Sequence, residues 1–301
     1  MTLPLWVWAA LMGALAQTGR NATQAGLTTA LGTAGATQVR FLFGLPFALL
    51  FLAGHSAWTG STPPLPGPAT LGWTLLGAWA QIAGTALMLL LMKDQSFGVA
   101  TAWLKTEPVL VALLGAALLG DALTPGILAA IAIATAGVLI LSVRPDASPT
   151  SFLQSRPAAL GLLAGLGYGL ASIGFRGGIT HLPDGSFLTR ALTTLALALA
   201  IQSATLLLWL ALFDRKALIG SFRVWRTSLA AGFLGAFASA CWFTGFSLTT
   251  AANVRTLALV EVPLAQLVAR LHFRQKTTPR QYLGMTTILL GVVTLLWQQG
   301  P

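Results

Sequence analysis

The sequence is poor in charged residues, and most of its charges have one sign. Only 8% of the 301 residues are charged, with 17 Lys and Arg against 7 Asp and Glu, while 55% are hydrophobic. A soluble globule of this size needs more polar surface than this composition supplies. We therefore expect the lipid bilayer to be the solvent. The basic residues lie mostly between apolar runs, and this distribution argues against a nucleic-acid partner.

Cysteine, histidine and catalytic motifs are also scarce. The single cysteine, Cys241, excludes an intramolecular disulfide, and three scattered histidines argue against a His-rich metal site. The sequence contains no His-Glu-x-x-His, no phosphate-binding Gly-x-x-x-x-Gly-Lys and no Gly-x-Ser-x-Gly. We expect no enzyme activity, no metal, no cofactor and no built-in ATP motor.

Long apolar runs are what the sequence does have, and Pro, Gly or charged clusters separate them. The first run has no basic segment before it, so we expect a retained helix there and not a cleaved signal peptide. The fold class predicted is an all-α integral membrane protein with ten transmembrane helices. These helices cover residues 4–23, 36–53, 70–92, 98–119, 125–143, 158–179, 187–213, 227–249, 251–271 and 279–298.

The sequence also repeats itself at an offset of about 154 positions. Thr124-Pro125 opens helix five and Thr278-Pro279 opens helix ten, and Gly137 and Gly291 follow at equal distances. Further matching pairs are Glu107 with Glu261, Pro108 with Pro263, Arg20 with Arg176, and Arg40 with Arg190. Each half, 1–146 and 147–301, holds five helices. Because five is odd, the second half starts from the opposite face, which predicts an inverted repeat around a central cavity.

Loop charges predict the orientation of the chain. Eleven basic residues lie in the loops after the odd-numbered helices or at the helix ends that border those loops, and none lies in the even-numbered loops or at either terminus. By the positive-inside rule those loops face the cytoplasm, so both termini are expected outside, in a bacterial inner membrane. The eleven are Lys93, Arg144, Arg156, Arg215, Lys216, Arg223, Arg226, Arg270, Arg274, Lys276 and Arg280.

Two acids, Glu107 and Glu261, fall inside predicted helices, where an ionised group costs several kcal/mol unless it is paired or faces water. One interpretation is that each neutralises a nearby cation and is structural; the other is that both line a cavity and bind substrate or protons. Pro108 and Pro263 stand beside them and predict kinks, either static bends or gating hinges. The candidate charge partners are Arg20, Arg40, Arg176, Arg190 and Arg255.

A third group of candidates consists of aromatic, amide, hydroxyl and ammonium side chains deep inside the predicted helices. Individually, a deep aromatic residue is more often lipid-facing or part of the core than in contact with substrate. Together with polar neighbours, the set predicts an amphipathic cavity. Its members are Gln17, Trp79, Gln81, Trp103, Lys105, Tyr168, Ser172 and Trp242.

The two five-helix halves, with Val39-Arg40-Phe41 opening helix two, Glu107-Pro108 in helix four and Ala136-Gly137-Val138 in helix five, resemble the EamA repeat of the drug/metabolite transporter superfamily. The resemblance covers nearly the whole chain, although Asp121 and Gln275 replace the family's usual glutamate. It implies a central cavity and alternating access. Trp79, Gln81 and Tyr168 are similar to cavity residues of bacterial amino-acid exporters of the YddG type.

These features predict a secondary transporter that exports amino acids or similar small metabolites, with Lys105 or an arginine binding a carboxylate. The partners expected are a small-molecule substrate, the lipid bilayer and, for coupling, a proton gradient; no oligomeric partner is implied. An exchanger of organic phosphates or nucleotide sugars, or an exporter of drugs or cations, is the alternative within transport. A membrane scaffold or enzyme is disfavoured because the loops are short and no nucleophile–base set is present.

Overall fold

The structure, a computed structural model, describes residues 3–94, 107–142, 156–264 and 278–298. Within these ranges all regular secondary structure is helical, which confirms the all-α class. The helices are α1 (Leu5–Leu42), α2 (Leu45–Thr59), α3 (Pro68–Asp94), α4 (Glu107–Leu119), α5 (Pro125–Ser142), α6 (Arg156–Thr180), α7 (Phe187–Phe213), α8 (Arg215–Arg223), α9 (Trp225–Leu248), α10 (Ala251–Leu257), a 3-10 turn (Ala258–Val260) and α11 (Pro279–Gln298).

Five of the described segments are long and apolar enough to cross a membrane, as judged by length and composition. Two shorter apolar helices, Glu107–Leu119 and Pro125–Leu141, accompany them. Most predicted boundaries lie within a few residues of the observed ones. The start of predicted helix four and the end of helix nine lie outside the described residues, so the count of ten remains a prediction. The five segments are Gly35–Thr59, Ala159–Thr180, Phe187–Phe213, Trp225–Leu248 and Pro279–Gln298.

The clearest difference from prediction is in α1. The sequence predicts a loop over 24–35, but the chain stays helical from Leu5 to Leu42, with a break at Gly32. The segment has no proline, so its Ala, Leu, Gln and Thr residues continue the helix at little cost. Gly32 has φ 68° and ψ 178°, a conformation that glycine adopts readily and L side chains rarely do. Two helices therefore meet at Gly32, and a break at one residue separates them where the sequence predicts a loop.

The repeated Thr-Pro pairs begin two helices in the same way. Thr124 Oγ1 accepts a hydrogen bond from Ile127 N at 3.2 Å, and Thr278 Oγ1 accepts one from Gln281 N at 3.3 Å. Each threonine satisfies a backbone donor of the first turn, and the proline after it has no donor to leave unsatisfied. The sequence repeat therefore corresponds to a repeated local structure.

The chain divides into two compact units that do not coincide with the sequence halves. The first comprises Met1–Ile82 and Gly174–Thr249, and the second comprises Ala83–Ile173 and Thr250–Pro301. The boundaries fall within α3 and α6 and just before α10. Each unit therefore combines segments from both halves of the sequence.

In the first unit, α1 packs along α9, and both contact α7. Glycines permit the close approach: a Cβ atom on Gly13 would lie 3.1 Å from the Trp242 ring, and one on Gly232 would lie 2.5 Å from the Phe43 carbonyl group. Close backbone contact at small residues is a common way for helices to associate within a membrane. Phe43 also belongs to a buried cluster with Ala231.

In the second unit, α5 and α11 pack together through the two repeated glycines. A Cβ atom on Gly137 would meet the backbone of Gly284 and Ile288, and one on Gly291 would meet Ala130 and Ala134. Adding 154 to 130, 134 and 137 gives 284, 288 and 291, so the contact is reciprocal. Such reciprocity is the mark of a two-fold related interface. We call this contact the glycine seam.

Candidate functional site

A largely buried ion pair that remains partly exposed brings together three polar residues of the second unit. Arg255 Nε lies 3.1 Å from Glu107 Oε1, and the two side chains are 13% and 17% exposed. Ser172, fully buried, accepts a hydrogen bond from Arg255 Nε at 2.9 Å and donates one to Glu107 Oε1 at 3.3 Å. The serine hydroxyl therefore bridges the cation and the anion. We call these residues the Glu107 triad.

Three helices position the triad. Glu107 is the first described residue of α4, Ser172 lies in α6, and Arg255 is near the end of the short helix α10. Thr250 caps α10, because its hydroxyl accepts a hydrogen bond from Asn253 N at 3.3 Å. α10 packs against α4, and this contact holds Arg255 beside Glu107. The sequence predicted that Glu107 needs a cation, and the structure identifies Arg255 among the five candidates.

The chain changes geometry next to Glu261. After α10 it forms a 3-10 turn over Ala258–Val260, and residues 261–264 are helical again. Pro263 has no N–H for the carbonyl oxygen of Leu259, so the irregular turn lies where the sequence predicts a missing hydrogen bond. Glu261 is half-buried and has its own interaction partner. Pro108 is buried at the start of α4, and the residues before Glu107 lie outside the described ranges.

Tyr168 lies one helical turn before Ser172 in α6. Its hydroxyl is 3.1 Å from Thr85 Oγ1 and donates a hydrogen bond to Met88 Sδ at 3.5 Å. Gly84 makes this contact feasible, because a Cβ atom there would lie 3.2 Å from Tyr168 N. The predicted pair of Tyr168 and Ser172 thus shares one face of α6. Thr85 and Met88 were not among the residues predicted from sequence.

Gln81 is buried in the first unit and forms an amide pair. Gln202 Nε2 donates a hydrogen bond to Gln81 Oε1 at 2.7 Å and lies 3.4 Å from the carbonyl oxygen of Ala78. Sequence analysis missed Gln202. The sequence nevertheless indicates this residue, because Gln202 is an amide within the apolar run 187–213, and a buried polar group there needs a hydrogen-bond partner.

We expect Gln202→Ala to lower the free energy of unfolding by about 1–3 kcal/mol, because it removes the buried hydrogen bond that Gln202 Nε2 donates to Gln81 Oε1. The double variant Gln81→Leu with Gln202→Leu removes both partners and is expected to be closer to wild type than either single leucine variant. Unfolding of the purified chain in detergent measures the difference. Additive losses in the double variant would contradict the pairing.

The two predicted tryptophans of the first unit lie in different surroundings. Trp79 is 56% exposed and lies in an open apolar groove with Trp209 and Phe213, its Nε1 donating to Thr205 Oγ1 at 3.3 Å. Trp242 is 5% exposed and packs on Gly13. Its surroundings fit core packing, whereas the exposed ring of Trp79 fits contact with lipid.

The other predicted arginines do not share one role. Arg176 Nε donates a hydrogen bond to the carbonyl oxygen of Thr249 at 3.2 Å, which caps the C-terminal end of α9. Arg20 and Arg40 both approach Gly235, halfway along α9: a Cβ atom there would lie 3.5 Å from Arg20 Cδ and 3.6 Å from Arg40 Cγ. The aliphatic parts of two arginine side chains therefore pack near the middle of α9. Arg190 is half-buried in α7.

Three further candidates add less to the site. Gln17 is half-buried in α1 and has an interaction partner. Trp103 and Lys105 lie outside the described residues. Among the residues that the structure describes, no group of three His, Cys, Asp or Glu side chains is placed to hold a metal ion.

Comparisons with known proteins give one family match and one structural match. A model of the EamA-like transporter family matches residues 156–297, most of the predicted second repeat. A solved structure described as "Crystal structure of protein" aligns with a TM-score of 0.69 and 16% sequence identity, covering 98% of this chain and 99% of the other. At that identity the match shows a shared fold. No curated protein matches the sequence. Neither match bears on the narrower resemblance to exporters of the YddG type.

Proposed function

We propose that this chain is a secondary transporter of the drug/metabolite transporter superfamily that exports amino acids or similar small metabolites by alternating access. The observation that carries the proposal is the Glu107 triad, a partly buried ion pair in an apolar, helical chain whose second half matches the EamA-like transporter family. Ionisable groups inside a membrane protein are functional candidates by default, since they are costly to keep there.

The chemistry of the triad favours a substrate that carries both charges. Removing one partner of a buried ion pair strongly destabilises a protein, because the other charge is left uncompensated. A zwitterion supplies both replacements at once: its ammonium group binds Glu107 and its carboxylate binds Arg255. Ser172 then keeps one hydrogen bond to whichever partner remains close. The substrate thus stabilises a state in which Glu107 and Arg255 are separated, a state that is unstable without substrate.

The wider architecture is proposed on related grounds. Ten helices in two inverted five-helix repeats, 1–146 and 147–301, are supported by the reciprocal glycine seam and the matching Thr-Pro caps. The irregular turn before Glu261 and Pro263 supports a hinge there. Eleven basic loop residues support termini outside a bacterial inner membrane. A substrate or proton gradient supplies the driving force.

Transport by the full-length chain in liposomes tests the proposal. The experiment measures uptake of labelled amino acids, phosphorylated sugars and organic cations, with and without a pH gradient. We expect zwitterionic amino acids to be transported, and their transport to be lost in Glu107→Gln. Transport of phosphorylated sugars alone would favour an organic-phosphate exchanger, and transport of cations alone would favour a drug exporter. Movement of no substrate under any condition would contradict the proposal.

A further inference from the structure

The short helix α8 lies where the chain must meet the membrane surface. It connects α7, which ends at Phe213, with α9, which begins at Trp225, and both neighbours are long and apolar enough to span. A short connection between two consecutive spans stays on one side of the bilayer, because the first span ends there and the second begins there. Residues 214–224 are therefore confined to one membrane–water interface.

The inner face of α8 rests on α1. Ala217 and Ser221 are buried, and a Cβ atom on Gly35 would lie 3.3 Å from Ala217 Cβ. The Phe222 ring, although mostly exposed, also contacts Phe43, with the two ring centroids 5.5 Å apart. Asp214 caps the helix, because its carboxylate accepts a hydrogen bond from Ala217 N at 3.0 Å. The face that packs on α1 and the cap at its N-terminus thus hold α8 in place.

The outer face carries large apolar side chains. Ile219, Phe222 and Trp225 are 55%, 53% and 51% exposed. Neighbouring Leu212 and Phe213, at the end of α7, are exposed as well. In a helix that lies along an interface, such side chains enter the boundary between headgroups and acyl chains. An aqueous setting alone would leave this apolar surface without a partner.

Basic side chains accompany the apolar ones. Lys216, Arg223 and Arg226 are exposed, and the Arg226 guanidinium lies 5.5 Å from the Trp225 ring centroid. Arg215 is also exposed but uses its Nε to donate to the carbonyl oxygen of Ala211 at 2.8 Å. The only acid in the segment 214–226 is Asp214, which serves as the helix cap. The net charge of the surface is therefore positive.

We propose that Lys216, Arg223 and Arg226 bind the headgroup phosphate of an anionic phospholipid whose acyl chains cover Ile219, Phe222 and Trp225. We call this surface the α8 lipid site. Basic residues near an anionic leaflet are attracted electrostatically to its headgroups. A soluble phosphate supplies the charge but not the acyl chains, and the exposed apolar side chains therefore select a lipid. The site is independent of the substrate and of the Glu107 triad.

The test titrates the purified full-length chain in a zwitterionic detergent with dihexanoyl phosphatidylglycerol, and separately with dihexanoyl phosphatidylcholine, and records thermal stability. We expect the anionic lipid to raise the melting temperature at a concentration at least ~10-fold lower than the zwitterionic one. In the triple variant Lys216→Gln, Arg223→Gln, Arg226→Gln that difference is expected to disappear. Raising salt from 0.1 to 1 M shortens the Debye length from about 10 to about 3 Å. We therefore expect high salt to reduce the difference between the effects of the two lipids as well.

The matched control is Lys216→Arg, Arg223→Lys, Arg226→Lys, which keeps all three charges and is expected to keep the preference. Glycerol phosphate at the same concentrations is expected to have no effect; stabilisation equal to that of the lipid would overturn the proposal in favour of a soluble anion. If wild type and the glutamine variant showed the same preference for the anionic lipid, the proposal would be overturned as well. A loss of basal stability does not obscure the result, because the readout is the difference between two lipids in one variant.

Discussion

Arg255→Gln is expected to lower the free energy of unfolding by about 3–5 kcal/mol and to abolish transport. The change leaves the Glu107 carboxylate buried without its cation, and Ser172 alone cannot neutralise a full charge. Glu107→Gln is expected to lower the free energy of unfolding by a similar amount, because it removes the carboxylate that pairs with Arg255. Denaturant titration in mixed micelles measures the stability, and uptake in liposomes measures the transport.

The double variant Glu107→Gln with Arg255→Gln separates the two interpretations of the pair. With both charges gone, neither residue of the pair leaves the other uncompensated, and the loss of stability is expected to be well below the sum of the two single losses. If the pair binds substrate, the double variant still folds but does not transport. Normal transport by the double variant would show that the pair is structural. Arg215→Gln is the matched control, since Arg215 is exposed with one hydrogen bond to a carbonyl group, and its loss is expected to stay below about 1.5 kcal/mol.

Gly137→Ala and Gly291→Ala are each expected to destabilise the chain by about 1–3 kcal/mol or more, the usual cost of overpacking. A Cβ atom on Gly137 would lie 2.6 Å from Ile288 N, and one on Gly291 would lie 2.5 Å from Ala134 N. Backbone atoms cannot rotate away as a side chain does, so the whole seam must shift. Thermal unfolding in detergent compares the two variants.

The control for the seam is Gly54→Ala in α2, where a new Cβ atom meets nothing within 4 Å. Alanine is favoured over glycine in a helix by about 1 kcal/mol, so this variant is expected to be neutral or slightly more stable. The two seam variants are expected to be similar to each other because their contacts are reciprocal. A large loss in one and none in the other would contradict the two-fold relation between α5 and α11.

Much of the helical pattern was predictable because it depends on local sequence. Apolar runs bounded by Thr-Pro pairs predicted the starts of α5 and α11 at Pro125 and Pro279, since cap and proline act within one turn. The predicted helices one and two end at residue 23 and begin at residue 36, whereas the observed helices extend to either side of Gly32. A single positive φ at Gly32 sufficed for the break.

The site was less predictable because its pairing is tertiary. Charge alone showed that Glu107 needs a cation, but five arginines were equally eligible, and the choice of Arg255 depends on how α10 packs on α4. Gln81 was identified without its partner Gln202, which lies more than 100 positions away in the sequence. Helix α8 was missed as a helix because its charged start, Asp214-Arg215-Lys216, was interpreted as a linker.

The division of the chain into units that mix both sequence halves has a consequence for synthesis. The ribosome releases α5 long before α11, and Arg280 Nε reaches its acceptor, the carbonyl oxygen of Ile140, across 140 positions. Until the last helix is inserted, the small-residue face of α5 around Gly137 has no partner from α11. During that interval the close backbone contacts of the glycine seam cannot form. A truncation before Pro279 should therefore be a preferred client of membrane chaperones and quality-control proteases.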